Sequence, residues 1–168
     1  MSVTRQEFRD AMARLGAAVN IITTGGPAGR GGFTASAVCS VTDDPPTLLV
    51  CMNRGATAAP RLKENGNVCV NVVAAGQKEA AMVFAGATKC PMEERFDAGT
   101  WTTLATGAPV LQGAVVSFDC RVEEIVEKGT HCVIFAEVEA IRAGGTHEAG
   151  LIYFGRDYHP VRTVIAPA

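Results

Sequence analysis

The sequence predicts a mainly β fold, a closed or partly closed antiparallel barrel with a few short flanking helices, and three observations carry that reading. Val116, Phe118, Cys120, Val122 and Val126 alternate with Ser117, Asp119, Arg121, Glu123 and Glu127, the period-2 pattern of a strand with one polar face. Cys132, Ile134, Ala136, Val138 and Ala140 repeat it after a turn at Lys128 and Gly129, so Val116 to Ile141 reads as a long antiparallel hairpin. Strand-like segments outnumber helical ones roughly two to one, and about six strands with few helices suit a barrel. With 168 residues, 48% of them hydrophobic, the chain suffices for one core and is short for two, so residues 1–168 read as a single domain.

From the N-terminus, Thr4 and Glu7 form a capping box ahead of Phe8, Ala11, Met12 and Leu15 at helical spacing. Thr4 to Leu15 therefore reads as an amphipathic helix lying on a sheet. Ala18 to Thr24 is β-branched and strand-like, and Gly25 to Gly32 is a loop. The turn TDDPP, Thr42 to Pro46, divides Gly32 to Cys51 into two strands, with Asp43 and Asp44 in a role suited to bonding local backbone. A short helix around Ala58 to Glu64, a strand at Asn67 to Val73 and a second helix at Gly76 to Gly86 follow. Gly86 to Gly107 is irregular; within it Glu93, Glu94 and Arg95 read as a solvated helix start and Trp101 as a loop anchor. His147 falls in a polar loop and reads as exposed.

Charge and cysteine usage narrow the function. The formal net charge is −2 and no run of Lys or Arg makes a basic stripe, which argues against nucleic acid and anionic membrane and for a small molecule. The N-terminus lacks the apolar stretch of a signal peptide, and the longest wholly apolar run, Leu48 to Met52, is far below the roughly 18 residues needed to span a bilayer. A cytoplasmic protein is expected. The six cysteines show no CxxC pair and no His at zinc spacing, so most read as buried thiols, Cys39 keeps a functional reading through its neighbours, and no metal is expected. GGPAGRGG lacks both GxGxxG and GxxxxGK[ST], and a strand follows where those motifs need a helix, so it reads as a hairpin loop with Arg30 in reach of an anionic ligand. Thr34, Ala35, Ser36, Ala37 and Ser40 are small where strands normally carry bulk. Such a run lets a flat heterocycle approach the backbone, or simply packs beneath a helix, and composition weighs the two equally.

Four segments in order, GFTASAVCSVTDDPPTLLVCMNRGA, CVNVV, GTHCVIFAEV and GLIYFGRDYH, resemble the short-chain flavin reductase family, the reductase components of two-component flavin monooxygenases. The likeness runs from about Phe8 to His159. AGQ at Ala75 to Gln77, PMEERF at Pro91 to Phe96 and VSFDC at Val116 to Cys120 are most similar to its NADH-dependent FMN reductases of bacterial uracil degradation. The resemblance implies the FMN-binding split barrel, an antiparallel Greek-key barrel, assembled as a homodimer with two flavin sites near the subunit interface. It implies that Thr34, Ala35, Ser36 and Ala37 line the isoalloxazine. Cys39, Ser40, Cys51, Met52, Asn53, Gly55, Ala56 and Thr57 would then serve the ring edge, ribityl chain and phosphate, with Asn71 and Phe84 completing the pocket.

His131 in GTH corresponds to the family's usual Gly-Asp-His, whose histidine lies beside the nicotinamide; here Thr130 stands in place of the aspartate. Alone, a histidine at a hairpin turn reads as a surface residue. Arg156 and Tyr158, with His159, are expected to cover the pyridine nucleotide, with ordinary C-terminal packing an equal reading. No acid–base residue is implied, because hydride passes from nicotinamide C4 to flavin N5 and the two cofactors make the bonds. The expected activity is NADH-driven reduction of FMN, which diffuses away reduced to a flavin-dependent oxygenase; the residues leave FAD and NADPH open. A flavin-binding electron carrier is the alternative of another class.

Overall fold

Two residues, Ser36 and Ala37, separate the two strands that lie at opposite edges of a seven-stranded antiparallel sheet. The computed structural model describes residues 2–145 and 149–162; His147 lies outside them. In chain order the helices and strands among the described residues are α1 (Arg5–Met12), β1 (Ala17–Ala18), β2 (Asn20–Thr24), β3 (Gly31–Ala35), β4 (Val38–Asp43), β5 (Pro46–Asn53), α2 (Ala59–Asn65), β6 (Asn67–Val72), α3 (Lys78–Phe84), β7 (Trp101–Thr102), β8 (Val110–Leu111), β9 (Val116–Lys128), β10 (His131–Ala143), β11 (Gly150–Phe154) and β12 (Asp157–Val161). The large sheet runs β3-β2-β6-β9-β10-β5-β4, and β1-β11-β12 and β7-β8 form two smaller ones. Seven strands spaced about 4.8 Å apart would span nearly 30 Å if flat, whereas two residues reach about 7 Å. The sheet must therefore curve, bringing the adjoining ends of β3 and β4 together at Ser36 and Ala37.

All seven strands feed one interior. Ile22, Val50, Met52, Val68, Val70, Cys120, Cys132, Ile134 and Ala136 are buried in a single cluster, joined by Phe33 and Ala35 of β3 and Val38 of β4 and capped by Leu62 of α2. The period of two then sends Ile21 and Val19 to the other side, where they meet Ala81 and Phe84 of α3 with Phe96 and Leu111. β2 is thus buried on both faces, which is why its β-branched run Asn20–Thr24 carries no exposed polar alternation.

The long hairpin is present, with its turn at Gly129 and Thr130, one residue later than expected, and with register shifts between Phe135 and Ala136 and between Val138 and Ala140. Its polar face departs from the expectation at one end. Ser117 and Asp119 are buried beneath the segment that carries β8: Thr106 N donates to Asp119 Oδ2 at 2.8 Å and Ser117 Oγ donates to Asn71 Oδ1 at 2.9 Å. From Arg121 onward the face is exposed, and Arg121 pairs with Glu123, Glu137 and Glu139.

Two further expectations change. The capping box of α1 is formed, with Glu7 N donating to Thr4 Oγ1 at 3.2 Å, but the helix does not bury its apolar face on the sheet: none of its residues is buried, and Phe8 is 60% exposed. The hairpin β11–β12, which the sequence pattern did not reveal, turns through Gly155 and Arg156, both at positive φ (62° and 66°), the geometry of a tight two-residue connection. Gly155 N donates to Ala13 O at 2.7 Å, and Arg156 pairs with Asp10, so this turn holds the end of α1. The glycine-rich loop is a hairpin connection as expected, pinned by Asn65, whose Oδ1 accepts from Ala28 N at 3.0 Å while its Nδ2 donates to Gly29 O at 3.0 Å.

Candidate active site

A cleft of about 450 Å³ opens at the corner where the sheet edges meet. Thr34, Ala35, Ser36 and Ala37 run along it from β3 into the corner. Cys51 and Asn53 face it from β5, and Gly55, Ala56 and Thr57 from the turn beyond; Phe84 ends α3 against it, and the exposed His131 stands at its rim. Strand register brings the distant ones together. His131 pairs opposite Asn53 and Val133 opposite Cys51, so the first residue of β10 shares a face with the last residues of β5. Segments as far as 99 positions apart in sequence, from Gly32 to His131, thereby build one concave surface.

The same register removes residues expected there. Met52, between Cys51 and Asn53, points into the interior and is 0% exposed, because alternate residues of a strand face opposite ways. Asn71 is also fully buried, but within a polar knot: its Nδ2 donates to Ile21 O at 3.0 Å and Thr23 Oγ1 at 3.2 Å, and its Oδ1 accepts from Leu111 N at 2.8 Å and Ser117 Oγ at 2.9 Å. It ties β2, β6, β8 and β9 together and lines no cleft. Cys39 faces a second groove, beside α1, because Val38 before it takes the inward position; Ser40 is exposed farther along β4.

Arg156 lines that second groove as well and is engaged by Asp10, and Tyr158 stacks edgewise on Tyr153 with ring centroids 5.2 Å apart, in a hollow that adjoins Thr34, Ala35 and Ser36. Both belong to the C-terminal hairpin, which docks through β1 beside the corner and does not cover the cleft.

Five lining residues were missed: Gly32, Phe33, Ala85, Gly86 and Arg95. Arg95 matters most. It sits in a 3-10 turn, Glu93–Ala98, is half-buried, and donates from Nη1 to Phe84 O at 3.3 Å, while its Nε is buried without a partner. The neighbouring cations are occupied: Arg30 and Arg61 both pair with Glu93, at 3.0 and 3.3 Å, and Arg30 also lies 4.4 Å above the Phe96 ring. Arg30 is thus engaged within the protein. Among the described residues Arg95 has no carboxylate partner, and it lines the cleft, where an anionic group can pair with its guanidinium. The signal was in PMEERF, where an Arg next to an apolar Phe is carried inward by the burial of that Phe.

The floor is built for close approach. A Cβ on Gly32 would lie 2.6 Å from Phe84 Cε1 and 3.0 Å from Ile22 O, so glycine alone lets the Phe84 ring sit under β3. Phe84, Phe96 and Trp101 then form a triangle of edge-on rings with centroids 5.1 to 5.5 Å apart, and Trp101 Nε1 donates to Phe96 O at 2.8 Å, the anchoring role expected of it. Thr34 is not free to bind a ligand through its hydroxyl, which donates to Ala81 O at 2.6 Å and fixes α3 against the floor. Burial, then the neighbouring Cys39 and Cys132, push the Cys51 thiol upward in pKa, so it lines the wall as a neutral group. Small residues on one side and an unpaired cation on the other fit a flat ring system carrying a phosphate.

Residues 12–162 match the flavin reductase like domain family, and the chain belongs to it. It is 61% identical over 160 residues to the FMN reductase (NADH) RutF of Ancylobacter novellus, covering 95% of this chain and 87% of that one. It is 57% identical over 157 residues to the protein of the same name from Escherichia coli, covering 94% of each. Among solved structures it superimposes with a TM-score of 0.87 at 26% identity on BorF, the flavin reductase component of a bacterial two-component tryptophan halogenase, covering 96% of this chain and 100% of BorF.

Replacing Ala35 with leucine is expected to weaken FMN binding at least about tenfold, since the added carbons enter a space already bounded by Phe84 and Cys51 and overpacking of this kind costs about 1–3 kcal/mol. Quenching of flavin fluorescence on titration measures it, with circular dichroism to establish that the sheet persists. Wild-type affinity in the folded variant would remove Ala35 from the floor.

Proposed function

We propose that this chain is an NADH-dependent FMN reductase that binds FMN as a substrate and releases it reduced to a flavin-dependent oxygenase. The carrying observation is the cleft itself, in which small Ala35 and Ala37 lie along the floor, Arg95 offers an unpaired buried N–H, and His131 stands at the rim. The flavin supplies the hydride-accepting ring, and the chain supplies binding, orientation and exclusion of water. Ala35 and Ala37 let a ring lie against the backbone, Arg95 holds the phosphate, and His131 orients the nicotinamide over the exposed side. Alignment at near-attack distance is the rate enhancement that such a site gives. The relatives named for FMN and NADH favour those two over FAD and NADPH, and a terminal phosphate suits a single unpaired arginine.

The curled sheet whose edges meet at Ser36 and Ala37 supports a closed split barrel. The uncovered apolar residues of α1 and of the turn after it, with Phe8 60% and Leu15 63% exposed beside a groove of about 800 Å³, support a homodimer in which the partner subunit covers them. No helix among the described residues is long and apolar enough to cross a membrane, and a cytoplasmic location, where NADH is supplied, suits the activity.

Steady-state oxidation of NADH in the presence of excess free FMN tests the reading. Many turnovers per subunit are expected; a stall after about one equivalent would identify an electron carrier, and no NADH oxidation would identify a binding protein without turnover. Light scattering on the same sample is expected to return twice the 17.5 kDa chain mass.

A further inference from the structure

The tip that presents His131 is clamped from a single residue. Arg54 N donates to Thr130 O at 3.0 Å, Arg54 Nη1 donates to Gly129 O at 3.3 Å, and Arg54 Nη2 pairs with Glu127 Oε2 at 3.0 Å. Lys63 Nζ holds the other oxygen of Glu127 at 3.1 Å. Each ion pair is exposed and individually weak, but all of these contacts converge on the end of one hairpin and fix its backbone against the Asn53–Thr57 wall of the cleft. The imidazole itself is held by a separate contact: Thr130 Oγ1 lies 2.9 Å from His131 Nδ1. With Nδ1 taken, Nε2 is the nitrogen left to a ligand, and among the described residues it has no partner. An imidazole without such a contact turns about a broad, roughly two-fold torsion and presents either edge.

We propose that Thr130 is a positioning residue for the pyridine nucleotide, its hydroxyl setting the ring orientation of His131 on a tip that Arg54 keeps in place. The inference rests on the reading of His131 as the nicotinamide contact, and its role is exerted only through that ring. Removing the hydroxyl leaves the histidine present but lets its ring sample unproductive orientations, so nucleotide binding weakens while the flavin floor is untouched.

The test is a double-mutant cycle on the full chain at saturating FMN, with NADH varied. Thr130→Val is expected to raise KM for NADH about 3- to 10-fold, with kcat and FMN affinity within about twofold of wild type, and Thr130→Ser to restore wild-type values. His131→Ala is expected to raise KM at least as much, and the double variant Thr130→Val/His131→Ala to be no worse than His131→Ala alone. Additive effects, or a loss of FMN affinity in Thr130→Val, would show Thr130 acting elsewhere than through the ring. A silent Thr130→Val beside a damaging His131→Ala would sink this inference and leave the role of His131 standing. A silent His131→Ala would overturn both.

Discussion

Replacing Arg95 with alanine is expected to raise the FMN dissociation constant about 30- to 100-fold while leaving the affinity for riboflavin, which lacks the phosphate, within about threefold of wild type. A hydrogen bond to a charged group contributes about 1.5–3 kcal/mol, and charge-assisted bonds formed by a guanidinium fork are the stronger kind. Arg95 is half-buried, and the Glu93 beside it is already shared by Arg30 and Arg61, so among the described residues no carboxylate pairs with it. Arg95→Lys should recover only part of the affinity, because an ammonium offers a point charge in place of a fork. Parallel fluorescence titrations with FMN and riboflavin decide the matter. Equal weakening of both ligands would mean that Arg95 serves the cleft only by tying its turn to Phe84 O.

The second large effect is on stability. Asn71→Ala is expected to lower the free energy of unfolding by about 3–5 kcal/mol, because each buried group stranded without a partner costs about 1–3 kcal/mol. The variant strands the Leu111 N–H and the Ser117 hydroxyl, and it removes the donors to Ile21 O and Thr23 Oγ1. For a chain of this size the midpoint of thermal unfolding should fall by about 8–15 °C. Because Asn71 lies in the knot between strands and lines no cleft, the folded fraction at low temperature should bind FMN as tightly as wild type. Calorimetry combined with an FMN titration at 10 °C separates the two roles; a loss of affinity without a loss of stability would return Asn71 to the ligand site.

Most individual strands and helices could be read from the chain because their causes are local. The capping box at Thr4 and Glu7, the TDDPP turn and the alternation from Val116 onward each depend on residues a few positions apart. The resemblance carried the small run Thr34–Ala37 and Cys51, Asn53, Gly55, Ala56 and Thr57 to one site, and all of these line the cleft. Errors fell where a neighbour in space, rather than in sequence, sets the environment. Ser117 and Asp119 look solvent-facing by periodicity, yet both are buried, Asp119 bonded by Thr106 from the segment that folds over it and Ser117 by Asn71 of the neighbouring strand. Met52 was grouped with Cys51 and Asn53, although pleating turns it to the interior.

What the sequence determined by itself was the family, the mainly β class and the small-residue floor, since these reside in residue type and short-range order. Tertiary structure alone decided that Arg30 and Arg61 pair with Glu93 while Arg95, among the described residues, has no carboxylate partner, because the outcome depends on which arginine reaches Glu93 across three segments. It also decided that Arg156 pairs with Asp10 of α1, and that His131 meets Asn53. Both follow from strand register and sheet curvature, which fix distances between residues 78 to 146 positions apart and leave no mark on the local pattern of either partner.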